Sequence, residues 1–348
     1  MPQHPLPNQL GIATLSLGHC TKHKLRDRIR AAAEVGFEVI DLFDEDWAAY
    51  LAENGLDSTD PWEATESKLR VAKQLRELIE SHGMRIACTQ PLRDIEGNLD
   101  PRDRQAAIHR ATARFPFMRA FDTDLVFMDL AELGDLAAEF SRKDGGKQIR
   151  IGYEPLSWAR RNSWASAWEV VRAVDRVNVG IILDTFNILA VEFADPYSTV
   201  GEGSMLYASR DQALRVLGES MASMAATVRP EKLFFVQVAD AERMAGRGFK
   251  LAEDQSVPRL LPWSRSHRLF PEEQERGGYL PVEMVVSAIL KMGYTGPLSL
   301  EVFSHSLHIP GREVPLQLAT RGITGLKSLL DRVVQKSGKH HDDSRAKL

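Results

Sequence analysis

Short apolar runs, each closed by a polar residue or glycine, alternate along this chain with longer amphipathic stretches. An apolar run of about four to eight residues bounded in this way reads as a strand buried on both faces, as in parallel sheets. Residues 10–17 form the first run and end in the loop Gly18-His19-Cys20. A helix is expected over 22–35, stopped by Gly36, and a second strand over 39–43. The acidic cluster Asp44-Glu45-Asp46 is read as opening a polar loop that reaches Pro61. Residues 62–81 then place Leu69, Ala72, Leu75 and Ile79 at helical spacing.

The strand–helix rhythm repeats from there. Strands are expected over 84–89, 124–128, 148–154, 179–184, 232–238 and 297–303. Helices are expected over 101–120 (which Pro116 should kink), 130–142, 164–174, 205–228, 280–291 and 315–334. A longer loop holding Asp195-Pro196 and Gly201-Glu202-Gly203 follows the strand at 179–184. An unusually long polar segment, 239–278, carries Pro258, Pro262 and Pro271. A connection of that length is usually functional, and its arginines together with Trp263 mark it as a lid or pocket wall. Eight strands interleaved with helices predict an α/β fold, a closed (β/α)8 TIM barrel, with its site at the strand C-terminal ends. A doubly wound open sheet would alternate too, but no G-x-G-x-x-G follows the first strand. The expected organisation is a single barrel domain over 1–334 and a charged, disordered tail over 335–348, QKSGKHHDDSRAKL.

Composition narrows the function classes. With 43% hydrophobic and 26% charged residues the 348-residue chain reads as globular. A formal net charge of −4 gives no overall pull toward nucleic acid. No apolar run approaches the ~20 residues of a membrane span, and residues 1–9 lack the pattern of a signal peptide. Cys20 and Cys88 are too few for a disulfide framework, so a reduced, cytoplasmic setting is expected. Whether identical chains associate is left open.

Chemistry enters at the strand ends. VNVGIILDTFN leaves the core at Asp184, IRIGY stops at Glu154, LFFV at Gln237 and PLSL at Glu301. In a barrel all four face one mouth. Three carboxylates and an amide oxygen make a hard-oxygen set suited to Mg2+, Mn2+ or Co2+. Each acid taken singly is as well explained as a cap on the following helix. Three anions brought together repel one another, and a cation at their focus relieves all of them.

YEPLSWARR–NSW, GIILDTFNI, FFVQVADAER, WSRSHRLFP and LSLEVF together resemble the metal-dependent 3-dehydroshikimate dehydratases of fungal quinate catabolism and their bacterial relatives. These belong to the xylose isomerase-like sugar-phosphate isomerase/epimerase barrels. The likeness spans about residues 10–330, is strongest from Tyr153 onward and in QPLRDIEG, and is weak over 44–65. It implies that Glu154, Asp184, Gln237 and Glu301 hold the divalent metal. It also implies dehydration of a cyclic β-hydroxy ketone to protocatechuate: the metal polarises the ketone and stabilises the enolate, and a general acid helps the β-hydroxyl leave.

By the same resemblance Ser264 and Arg268 in WSRSHR bind substrate, and Arg93 at the third strand end joins them. A guanidinium fork suits a carboxylate, although a loop Arg is most often a solvated charge. Gln90 and Glu45 are candidate lining residues. The catalytic candidates are Asn187, His267 and Glu301. Bacterial relatives commonly carry His where this chain has Asn187, and Asn orients a hydroxyl without shuttling a proton. His19, His305 and His308 are loop histidines at the expected face. The fourth strand, LVFMDLAELGD, lacks the small polar residues that relatives place at its end.

A ketose isomerase or epimerase on the same barrel is the runner-up reading. It needs the same metal and a second strand-end base. A DNA-repair endonuclease would need several histidine ligands and a basic groove, which the strand ends and charge do not supply. A non-catalytic ligand-binding relative would form no catechol.

Overall fold

In a computed structural model, which describes residues 6–92, 100–127, 131–200 and 203–345, eight parallel strands close into a barrel in the order β1-β10-β7-β6-β5-β4-β3-β2. The barrel strands are β1 (Leu10–Ala13), β2 (Val39–Phe43), β3 (Arg85–Gln90), β4 (Leu125–Phe127), β5 (Arg150–Tyr153), β6 (Val179–Asp184), β7 (Leu233–Val238) and β10 (Leu298–Leu300). β8 (Asp240–Ala241) and β9 (Arg268–Leu269) form a separate antiparallel ribbon. Seven of the eight strands fall inside the runs read from the sequence and β3 runs one residue past its run, to Gln90, because a strand buried on both faces leaves an unbroken apolar stretch.

The helices are α1 (Leu25–Val35), α2 (Asp44–Glu53), α3 (Glu66–Ser81), α4 (Pro101–Thr112), α5 (Phe115–Phe121), α6 (Ala131–Asp144), α7 (Trp164–Val174), α8 (Thr185–Glu192), α9 (Arg210–Thr227), α10 (Leu261–Ser266), α11 (Val282–Lys291) and α12 (Val314–Arg345). Pro116 does divide the expected 101–120 helix, into α4 and α5. Two loop expectations are corrected. The acidic cluster at 44–46 is the first turn of α2, where three carboxylates favour the positive end of a helix. The stretch after Asp184 is α8, of which six of eight residues are buried. α12 continues through Arg345, across the stretch expected to be a disordered tail.

Inside the barrel, side chains two residues before each site residue share its face. Ile182, Phe235, Val39, Leu125 and Phe127 are buried together there, with Phe127 and Phe235 ring centroids 5.7 Å apart. Gly152, two before Glu154, is needed small: a Cβ on it would stand 2.4 Å from Ile182 Cδ1. The layer beneath the mouth also holds polar groups, Ser299 and Asp41, both fully buried.

Outside the barrel, Trp47, Trp62, Phe117 and Phe121 form one aromatic cluster that ties α2 to α5. Arg28 is fully buried. Its Nη1 donates to Asp46 Oδ1 at 2.7 Å and to the carbonyls of Thr14 (3.0 Å) and Gly18 (2.9 Å), fixing the first strand-to-helix loop.

The segment 239–278 is closed at its neck. Asp240 Oδ1 accepts from the backbone N–H of Tyr279 (3.1 Å) and Leu280 (2.9 Å), so a forty-residue excursion returns to its start. Within it α10 and β9 fold back over the barrel mouth, and Arg268 N–H donates to the Phe303 carbonyl at 2.9 Å.

Candidate active site

Glu154 directly follows β5, Asp184 ends β6, Gln237 lies near the end of β7 and Glu301 directly follows β10. Register brings them level: Asp184 pairs with Gln237 across β6 and β7, and Gln237 pairs with Ser299, two residues before Glu301. Ligand oxygens of Glu154, Asp184 and Glu301 lie within 4.8 Å of one another. Asp184 also caps α8, its Oδ1 accepting from Phe186 N–H at 2.8 Å. The capping role and the site role coexist, one on each oxygen.

Arg268 reaches this cluster from the β8–β9 ribbon and is 1% exposed. Its Nη1 donates to Asp184 Oδ2 (2.7 Å) and Glu301 Oε2 (3.0 Å), and its Nη2 to Ser264 Oγ (3.1 Å). The guanidinium lies 4.3 Å from the Phe186 ring centroid and 5.2 Å from that of Phe303, so it is packed as well as paired. Arg265 lies over Trp158 and, at 4.4 Å, over Phe303.

Asn187 lies in the first turn of α8. It accepts from Ser157 N–H at 3.0 Å and donates to Glu154 Oε1 and Asp184 Oδ2, each at 2.9 Å. That geometry orients two carboxylates and offers no ionisable proton. Gln90 is buried on β3, its Oε1 accepting from Gln237 Nε2 at 3.3 Å.

Electrostatics mark the same place. Burial pushes the Glu154 carboxyl well above its ordinary value, and the neighbouring Glu301 and Asp184 charges push it further. Burial also raises Asp184 and Glu301, with Arg268 pulling both back down. Burial works against the Arg268 charge, but Asp184, Glu301 and Glu154 more than offset it, so it remains a cation. Three carboxylates against one contacting guanidinium leave a surplus of two negative charges if all ionise, which one divalent cation neutralises. Gln237 Oε1 is buried and has no hydrogen-bond partner. An orphaned carbonyl oxygen beside three carboxylates fits a fourth hard ligand.

Of the residues expected from sequence, Glu154, Asp184, Gln237, Glu301, Arg268, Ser264, Asn187 and Gln90 are thus brought together. Arg93 lies outside the described residues. His267 is turned elsewhere. Its Nδ1 is 3.3 Å from Glu242 Oε2, its ring meets Phe249 edge-on, and among the described residues no hydrogen bond joins it to Glu154, Asp184 or Glu301. The loop histidine expected as a catalytic candidate therefore lies beside the cluster, next to Arg268, with its ring toward Glu242. Two residues contribute more than the sequence suggested. Arg265 acts on the Glu154 and Glu301 charges, and Glu242, in the ADAER run, draws His267 away. A cavity of about 200 Å³ opens beside Arg265 and Phe303, lined further by His19, Cys20, Glu45 and His308.

Comparison with known proteins bears on the family and the fold. A model of the family described as xylose isomerase-like TIM barrel matches residues 29–329. A protein from Neurospora crassa named 3-dehydroshikimate dehydratase is 31% identical over 91% of this chain and 92% of its own length. A protein of the same name from Pseudomonas aeruginosa is 30% identical over 92% of this chain, which spans only 41% of that relative. A solved xylose isomerase-like TIM barrel/4-hydroxyphenylpyruvate dioxygenase fusion protein superposes with a TM-score of 0.67 at 27% identity, covering 96% of this chain and 44% of the fusion.

Proposed function

The chain belongs to the xylose isomerase-like TIM barrels, and from that premise we propose that it is a divalent-metal-dependent 3-dehydroshikimate dehydratase, a hydro-lyase releasing protocatechuate and water. One observation carries the reading. The strand-end oxygens of Glu154, Asp184 and Glu301 converge within 4.8 Å beside a buried arginine, in a chain whose full-length fungal relative bears that name.

Glu154, Asp184, Gln237 and Glu301 would hold Mn2+, Co2+ or Mg2+. When bound, such an ion supplies the positive charge that stabilises an enolate as the α-proton leaves a ketone. Glu301, raised by burial, is suited to take that proton as a carboxylate base. Arg268 and Ser264, joined at 3.1 Å, present a guanidinium and a hydroxyl at the edge of the cluster for the substrate carboxylate and hydroxyls. Asn187 holds Glu154 and Asp184 in place, and Gln90 holds Gln237. Phe186, packed on Trp263, and Phe303 flank the Arg268 guanidinium with apolar surface. Loss of one C–H proton and one C–OH group as water, then tautomerisation, gives the aromatic product with no oxidant required.

The test is turnover of 3-dehydroshikimate by chelator-stripped protein, followed by catechol absorbance. Activity should appear only when Mn2+, Co2+ or Mg2+ is added, and should vanish in Glu154→Gln and Glu301→Gln while circular dichroism stays unchanged. No catechol under any metal would defeat the reading.

A further inference from the structure

A second group of metal-capable side chains stands outside the barrel mouth cluster. The geometry points to a second divalent-cation site, of the zinc class, formed by Glu242, His267 and His305. Their ligand atoms lie within 4.8 Å of one another. His267 Nδ1 is 3.3 Å from Glu242 Oε2, and His305 Nδ1 is 4.0 Å from Glu242 Oε1.

Two imidazoles and one carboxylate form a borderline donor set that selects zinc-like ions, where the barrel cluster, all oxygen, selects hard ones. Ligands around tetrahedral zinc stand about 3.4 Å apart, given bonds of about 2.0–2.1 Å. The His267–Glu242 pair already meets that spacing. The His305–Glu242 pair must close by roughly half an ångström, and the His305 side chain, 65% exposed, has room to do so.

The backbone holds this set from three separate segments. Glu242 follows β8; its N–H donates to the His267 carbonyl (2.9 Å) and its own carbonyl accepts from Trp263 Nε1 (3.0 Å). His267 immediately precedes β9 and bridges to Ser304, next to His305. His305 Nδ1 also lies 3.2 Å from the Ser266 carbonyl, a hydrogen bond that coordination through this nitrogen would replace. Glu242 is 6% exposed, a costly place for a carboxylate without a cation. Arg247 supplies one from the surface, its Nη1 2.9 Å from Glu242 Oε2 and its side chain half exposed, so it can swing away.

Filled, the site ties the 239–278 segment to the loop after β10. It thereby fixes Arg268, the residue after His267, against Asp184 and Glu301. It rests on none of the dehydratase reading.

Zinc titrated calorimetrically into the chelator-stripped full chain, with metal analysis after gel filtration, should give two ions per chain. His305→Ala should lose one and Glu154→Gln the other, each with unchanged circular dichroism. Cobalt should give strong four-coordinate visible bands that His305→Ala abolishes and Glu154→Gln keeps. Arg247→Ala, which removes the competing cation, should tighten the site. Equal uptake and affinity in His305→Ala and the parent would overturn the assignment, as would no uptake, or a single ion lost only in Glu154→Gln. A single ion lost only in His305→Ala would support it while counting against the barrel ion.

Discussion

Asn187 donates to Glu154 and Asp184 at once, so Asn187→Ala should loosen two carboxylates in one step. Removal of an outer group that orients metal ligands typically costs roughly 10–100-fold in affinity. Calorimetric metal titration of the variant should show a loss in that range. The pH profile of kcat should keep its shape, since the amide carries no titrating proton; a lost limb would instead make Asn187 part of a proton path. Asp41 makes a different residue-scale prediction. It is buried inside the barrel without a well-formed hydrogen bond. Burial raises its carboxyl well above the ordinary value, the Ser299 hydroxyl pulling it down and the Glu301 charge adding to the rise. The folded chain therefore holds a proton there that the unfolded chain releases at about pH 3.9. Stability from this group is complete below that pH and falls by about 1.4 kcal/mol per pH unit as pH rises toward the folded pKa. Asp41→Asn should flatten that slope in urea titrations run at several pH values and be the more stable protein at neutral pH. A parallel slope in both proteins would contradict it.

At the scale of elements, Arg28 and Asp46 join α1 to the first turn of α2 in a buried pair. Breaking such a pair leaves an uncompensated buried charge, at a cost of about 3–5 kcal/mol. Asp46→Ala should lose stability on that order in urea unfolding, whereas a double change to apolar residues of similar volume should recover most of it. The pair shows what the sequence conceals. β2 and β6 were legible to the residue because an apolar run framed by polar groups has sharp edges. α2 was hidden because its acidic first turn, without Gly or Pro between it and β2, resembles a solvated loop; the signal that could have revealed it is the Trp47, Tyr50, Leu51 spacing. α8 was hidden for the opposite reason. A helix buried all round has no polar face to set a period. The oxygen cluster was legible because each ligand ends a strand, and a closed barrel turns strand ends into neighbours. The Glu242–His267–His305 group obeys no such rule, since its members come from a ribbon and a loop whose approach is fixed only by folding.

For the molecule as a whole, the barrel mouth gathers charge that closure alone does not neutralise. β5, β6 and β10 cannot seal without bringing Glu154, Asp184 and Glu301 together, and one buried guanidinium meets only two of them. A cation that binds the folded chain and not the unfolded one therefore stabilises the whole barrel, by about 2.7 kcal/mol at a hundredfold excess over its Kd. An unfolding entropy of about 2.1 cal/mol/K per residue converts that into roughly 4 °C for a chain of this length. Scanning calorimetry of stripped protein with and without excess Mn2+ or Mg2+ should show this rise, and Glu154→Gln should show little of it. Hard ions separate the two clusters here, because the imidazole set favours softer metals. Zinc should raise the midpoint further than magnesium in the parent, and part of that extra rise should disappear in His305→Ala. On that outcome the barrel would gain stability from its mouth and from the 239–278 segment by different ions, each matched to the donor atoms that the chain places there.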